Sequence, residues 1–134
     1  MKALHVFDFD DTLIKSDSEV VITKANGAVL SLNSTEYKHY KKEPGDKFDY
    51  SDFNEYPKAA SFIDSVRAEL KAAIALDGIG SVVILTARQN PEPVREFLTN
   101  NDLGGLNVVA TGSDDPYSKA NYIMSRLKNE DFDV

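Results

Sequence analysis

Apolar and polar positions fall in blocks along this chain, and the period of the pattern changes from block to block. Ala3 to Phe7 is apolar apart from His5, the pattern of a strand covered on both faces. Glu19 to Lys24 and Ala28 to Leu32 are two β-rich runs joined through Asn26-Gly27, which predicts a hairpin. Ser34 to Tyr56 is polar and aromatic, is broken at Pro44-Gly45, and carries a regular acidic beat at Asp46, Asp49, Asp52 and Glu55. That beat predicts a solvated face with Phe48, Tyr50, Phe53 and Tyr56 packed beneath it. From Lys58 to Leu76 the period becomes helical: Ala59, Phe62, Ile63, Val66, Leu70, Ala73 and Ile74 recur at helical steps, and Gly78 and Gly80 end the run. Ser81 to Thr86, "SVVILT", predicts a second buried strand. Asn90-Pro91 predicts a helix with a side-chain cap and Val94, Phe97 and Leu98 turned inward. Asn107 to Ala110 predicts a third strand. Asp115-Pro116 then starts a helix to about Lys128, with Ala120, Ile123, Met124 and Leu127 on one face. Phe132-Asp133-Val134 has the pattern of the start of another strand.

Strands alternating with helices require crossovers, which produce parallel pairing with helices packed on the sheet. The expected fold is α/β: a three-layer, Rossmann-like, mostly parallel sheet with helices on both faces. A β-hairpin flap over residues 19–32 and a small insertion over 34–56 complete it. With 134 residues, 1–134 is expected to be a single domain that buries roughly two-thirds of its unfolded surface. Apolar residues at 42% make the chain too apolar for disorder. The absence of cysteine excludes disulfides, thiolate metal sites and cysteine nucleophiles, and suits a reducing, cytoplasmic setting. The first apolar run is too short for a signal peptide and none is long enough to span a bilayer, so no membrane partner is expected. A net charge of −7 disfavours non-specific binding to nucleic acid or anionic lipid.

The first strand runs straight into Asp8-Phe9-Asp10-Asp11-Thr12. In parallel sheets, ligands gather beyond the carboxyl ends of the strands. On an extended chain Asp8 and Asp10 project to the same side, about 6–7 Å apart. Two like charges that close repel, and a divalent cation such as Mg²⁺ would relieve the repulsion. Turn formation, or a cap for a short helix near Thr12, explains the same residues without chemistry. The convergence of other groups favours a site: Thr86 and Thr111 end the other strands, and Lys119 lies near the start of the last helix. His5 suits the core and His39 the surface.

"VFDFDDTL", "VVILTAR" and "DPYSKANYI" together resemble the haloacid dehalogenase (HAD) superfamily of phosphohydrolases, in the same order and over nearly the whole chain. The run "YKKEPGDKFDYSDF" is similar to a small group of such proteins, several of them viral. The resemblance implies a Mg²⁺-dependent phosphomonoester hydrolase. Asp8 would be the nucleophile that forms an aspartyl-phosphate, and Asp10 the acid and base. Asp8 and the Asp10 backbone carbonyl would hold the metal, and Thr86 and Lys119 the phosphoryl oxygens. Thr12 would hydrogen-bond in the turn and orient Asp10, and Arg88, two residues past Thr86, would either hold a second anionic part of the substrate or form a surface salt bridge. Asp11 stands where many family members have glycine and is expected to face solvent. The flap with a small cap would leave the site open, admitting a phosphorylated small molecule or a nucleic-acid end. A nucleotide or polynucleotide 3′-phosphate is the leading substrate on those two grounds.

The likeness fails at one point. Family members carry a further acidic residue at the end of the strand after the lysine helix. Glu130, Asp131 and Asp133 fall at the wrong end of that strand, and Asp114 and Asp115 follow the third strand. Relative to the family the chain is expected to lack this motif and its strand, giving weak metal affinity, reduced activity and self-association through a bare sheet edge. A catalytically degenerate scaffold that binds a partner or phosphate without turnover is the alternative. A receiver-like phosphoacceptor would place its reactive aspartate at the end of the third strand, where this chain has Thr111-Gly112.

Overall fold

A computed structural model describes residues 3–112 and 116–130. In chain order the elements are β1 (His5–Asp8), β2 (Ile14–Lys15), β3 (Glu19–Thr23), β4 (Val29–Asn33), α1 (Ser34–Lys38), β5 (Lys47–Asp49), β6 (Ser61–Phe62), α2 (Asp64–Asp77), β7 (Val82–Thr86), α3 (Glu92–Asn100), β8 (Asn107–Ala110) and α4 (Pro116–Glu130). The fold is mixed α/β, with a small parallel sheet in the order β1-β7-β8 and helices packed on it. All five residues of β7 are buried, as their unbroken apolar run predicts for a central strand. The register sets Asp8 beside Leu85 and Thr86 beside Ala110, so Asp8 and Thr86 both emerge at the carboxyl ends of their strands.

Alternation along β7 divides the core. Val82 and Ile84 join Val108, Leu70 and Ala73 of α2, and Val94, Phe97 and Leu98 of α3 in one cluster. Phe9 lies in the same cluster, edge-on to Phe97 with ring centroids 5.9 Å apart. Each such side chain contributes on the order of 1.5–3 kcal/mol by leaving water. Val83 and Leu85 point to the opposite face and are buried as well. β1 is only half-buried, in contrast to the expected strand covered on both faces. Its His5 is partly buried, and the ring Nε2–H donates to the Asp77 carboxylate at 2.7 Å.

The expected parallel sheet is present but has three strands, and the flap beside it is more regular than expected. The hairpin forms as expected, with Val20 facing Leu32 and Thr23 facing Val29, but β5 adds to its other side to make an antiparallel sheet, β4-β3-β5. The insertion is therefore not irregular. Asn33 and Glu36 cap each other's backbone N–H groups at the start of α1, a reciprocal capping box. Gly45 has φ +87°, and a Cβ there would meet the Ala25 Cβ at 2.8 Å, so only glycine closes the approach to β5.

The first long helix also starts later than its periodicity suggests, at Asp64 rather than Lys58. Ala59 takes a left-handed φ of 47° and Ser61–Phe62 pair with Ile14–Lys15, so the chain between Lys58 and Ile63 is spent on that short ladder. Among the described residues no helix is long and apolar enough to cross a membrane. The expected strand at Phe132 and the acidic residues Asp114, Asp115, Asp131 and Asp133 lie outside the described residues.

Candidate active site

The turn after β1 pivots on one atom. The carbonyl of fully buried Phe9 accepts the N–H groups of Thr12, Leu13 and Ile14 at 3.4, 3.0 and 3.1 Å. Asp11 completes the reversal at φ 61°, a conformation that favours glycine and that aspartate tolerates better than most residues. With Phe9 anchored in the core, Asp8 and Asp10 on either side of it both line one cleft of about 740 Å³. Thr86, Arg88 and Lys119 line the same cleft, as do Tyr37, Lys38, Tyr40, Lys42, Tyr50 and Phe53 from the flap side.

The two carboxylates have different partners. Asp8 is about half exposed and its Oδ1 is paired with the Lys119 ammonium, reached from the first turns of α4. Asp10 accepts two parallel hydrogen bonds from Arg88, Nε to Oδ2 at 2.9 Å and a terminal nitrogen to Oδ1 at 2.8 Å, the fork geometry that makes arginine–carboxylate pairs strong. Arg88 itself is buried. Its other terminal nitrogen donates to the backbone oxygens of Phe53 at 3.0 Å and Glu55 at 3.4 Å, and its guanidinium sits 5.0 Å from the Phe53 ring centroid and 5.4 Å from that of Phe9.

Two expectations change in consequence. Arg88 is not an arm reaching for a second anionic group of the substrate: its donors are already taken by Asp10 and by the flap backbone. Thr12 does bond within the turn, its N–H reaching the Phe9 carbonyl at 3.4 Å, and it does not line the cleft where a substrate-binding residue would stand. Asp11 does not face solvent. Its side chain is 10% exposed and lies 3.5 Å from the Lys38 ammonium. Thr86 is placed as expected. Its Oγ1 accepts the Arg88 N–H at 3.2 Å, which leaves its hydroxyl proton to donate, and its backbone oxygen is held by the Thr111 N–H at 2.9 Å.

The flap wall is tied by polar contacts. Asp46, expected on a solvated face, is turned inward with a side chain 1% exposed. It accepts from the Tyr40 hydroxyl at 2.6 Å and from the Glu43 N–H at 2.9 Å, and pairs with Lys24 at 3.2 Å. The Tyr40 hydroxyl, the Glu43 N–H and the Lys24 charge hold the Asp46 carboxyl below its ordinary range despite its burial. Lys24 is pushed upward in turn, first by its bond to Tyr40 and then by Glu43 and Asp46. Asp52 accepts the Glu19 N–H at 2.8 Å and pairs with Lys58; burial pushes it up, but these partners leave it lowered overall.

No group of three or more histidine or acidic side chains suited to a metal occurs among the described residues. Mg²⁺ needs fewer protein ligands than that, often one or two carboxylates with water and substrate oxygens. The half-exposed Asp8 carboxylate, with the backbone carbonyl of Asp10, fits such a minimal donor set. The Asp10 carboxylate, occupied on both oxygens by Arg88, does not belong to it.

Sequence reasoning missed the inward wall of Tyr37, Tyr40, Tyr50, Lys38 and Lys42. The signal was present as lysine and aromatic residues interleaved through "YKHYKKEPGDKFDY". No protein-family model, curated protein or solved structure matches the chain.

Proposed function

We propose that this chain is a phosphomonoester hydrolase, Mg²⁺-dependent, that works in the cytoplasm through an aspartyl-phosphate on Asp8. The observation that carries the reading is the arrival of Asp8, Asp10, Thr86 and Lys119, from segments far apart in sequence, on one cleft. The β1-β7-β8 order, with Asp8 and Thr86 at the carboxyl ends, supports the three-layer haloacid dehalogenase-like arrangement that the motifs suggest.

Asp8 is the more exposed carboxylate and its charge is matched by a single lysine, Lys119, which suits a nucleophile. An incoming phosphoryl group draws Lys119 from the Asp8 oxygen to its own oxygens, and Thr86 donates its hydroxyl proton to another. For Asp10 to act as acid and base, one of its oxygens leaves the Arg88 fork: protonated there, it gives its proton to the leaving oxygen and then takes one back from the attacking water. Mg²⁺, which the Asp8 carboxylate and the Asp10 backbone carbonyl would hold, would supply positive charge to offset that of the phosphoryl group. Positioning and charge are what phosphoryl transfer chiefly asks of a protein.

A specific observation favours the rival reading of a scaffold that binds phosphate without turnover: each carboxylate is already neutralised, by Lys119 and by Arg88. Phosphate release from p-nitrophenyl phosphate separates the two. Release that needs Mg²⁺ and falls by about a thousandfold or more in Asp8→Asn is expected. Release unchanged in Asp8→Asn would overturn the nucleophile assignment, and no release with retained phosphate binding would establish the scaffold.

A further inference from the structure

Arg88 ties together segments that the sequence keeps far apart. Its side chain is 2% exposed and bonds to four oxygens. Two belong to the Asp10 carboxylate, at 2.9 and 2.8 Å, and two are the backbone oxygens of Phe53 and Glu55, at 3.0 and 3.4 Å. The backbone of Arg88 is fixed as well, its N–H on Thr86 Oγ1 and its oxygen on the Gly112 N–H, both at 3.2 Å. A guanidinium is planar and its donors keep fixed directions, so holding one corner determines where the others point. Nε and one terminal nitrogen serve Asp10, and the other terminal nitrogen serves the insertion. The insertion's two oxygens come from the 3-10 turn Ser51–Asn54 and the residue that follows it. Phe53 and Asn54 line the cleft, whereas Asp52 does not. Asp52 moors the turn instead: its carboxylate accepts the Glu19 N–H of β3 at 2.8 Å and pairs with Lys58.

We infer that Arg88 is a positioning residue for Asp10, and that the Ser51–Asn54 turn sets where Arg88 stands. A carboxylate gripped at both oxygens has no oxygen to offer a substrate. Gripped at one oxygen by a cation that is itself anchored, it can turn the other toward the leaving group and stay in place. The Phe53 and Glu55 oxygens supply that anchor, because they hold the guanidinium by the nitrogen that Asp10 does not use. The insertion is then part of the proton-transfer apparatus and not only a wall of the cleft. The inference rests on the phosphatase reading for what Asp10 does, and not for the linkage from turn to Arg88 to Asp10.

The dependence of kcat/KM on the leaving group tests it, because this ratio covers the steps up to departure of that group, and a good leaving group departs without a proton. The intact chain is assayed with Mg²⁺ on glycerol 2-phosphate, whose alkoxide needs an acid, and on 2,4-dinitrophenyl phosphate, whose phenolate does not. Asp10→Asn sets the reference, with a loss of about a hundredfold on the first substrate and little on the second. Arg88→Met is expected to lose about tenfold or more on glycerol 2-phosphate and less than about threefold on the other, and to add nothing to Asp10→Asn in the double variant. Asp52→Ala, outside the cleft, should lose about threefold on glycerol 2-phosphate alone, with circular dichroism confirming that each variant folds. Equal losses on both substrates, or a double variant worse than Asp10→Asn, overturn the inference, since a residue that only supports the fold would give them. A second readout needs no turnover: in Asp52→Ala the nuclear magnetic resonance signals of the Arg88 Nε–H and the Asp10 carboxyl carbon should both shift, and a signal that stays in place breaks the linkage. The two readings fail separately. No phosphate release from either substrate by the unaltered chain sinks the hydrolase while the resonances still judge the linkage, and release with equal losses sinks only the linkage.

Discussion

Every residue of β7 is buried, whereas no residue of β4 or β5 is. The two sheets on either side of the cleft are thus held by different forces. The floor, β1-β7-β8, rests on a dry cluster in which Ile84, Leu70, Val94 and Leu98 are almost wholly removed from water. The flap, β4-β3-β5, buries only Val20 and Ile22 among its strand residues and leans on Lys24, Tyr40, Asp46 and stacked aromatic rings. Arg88 is shared: it starts beside Thr86 on the floor, holds Asp10, and ends on the backbone oxygens of Phe53 and Glu55. The difference leaves a floor held by apolar packing and a wall held by polar contacts and ring stacking.

The largest expected disruption is on the floor. Ile84→Ala removes a fully buried side chain from the centre of the cluster and should lower unfolding free energy by about 3 kcal/mol, read from denaturant titration by circular dichroism. Arg88→Met comes next. Removing one member of a buried ion pair typically costs about 3–5 kcal/mol, but the Asp10 side chain is 20% exposed, so a loss of about 2 kcal/mol is expected. It should also loosen the flap, measured as faster amide exchange over Ser51–Asn54, and displace the pH–rate profile. Arg88→Lys restores the charge but not the fork, so it should recover stability in part and leave the profile displaced.

The mildest change sharpens the comparison most. Lys24→Met should speed amide exchange in β3 and β5 and leave β7 as it was, because the polar network belongs to the flap alone. Its pH dependence follows from the signs. Asp46 is lowered from 3.8, so its contribution is complete above that value and is lost as pH falls through the lower folded value. Lys24 is raised from 10.5, so its contribution is complete below that value and is lost only at higher pH. Near-ultraviolet dichroism of the flap tyrosines should therefore stay flat between about pH 5 and pH 9 and decay below about pH 3.8. A change within the neutral range would show that another group holds the flap.

The same division explains what the sequence made legible. Floor strands announce themselves: "SVVILT" and Asn107–Ala110 are apolar runs whose burial needs no distant partner to be inferred, and both are strands. Asn26-Gly27 marked the hairpin, and Asn90-Pro91 marked α3 with Val94, Phe97 and Leu98 inward. The convergence of Asp8, Asp10, Thr86 and Lys119 was legible because strand ends in a parallel sheet meet at one edge. Arg88 was misread because its partner, Asp10, is 78 residues away, and no local period marks that pair. Asp46 was misread for the opposite reason: a regular acidic beat suggests a wet face, but one member of it found Tyr40 and Lys24 and turned in. Ala59, with its left-handed backbone, shows why the helix begins late although its apolar spacing runs on from Lys58.

The pairing of Asp8 with Lys119 and of Asp10 with Arg88 has a consequence for how the molecule meets its ligands in solution. At the bottom of the cleft negative and positive charge cancel, so a dianion drifting toward this acidic protein is repelled by its outer skin and not by the cleft floor itself. Capture then depends on the direction of approach, and dissolved electrolyte that screens the skin should quicken encounter instead of slowing it.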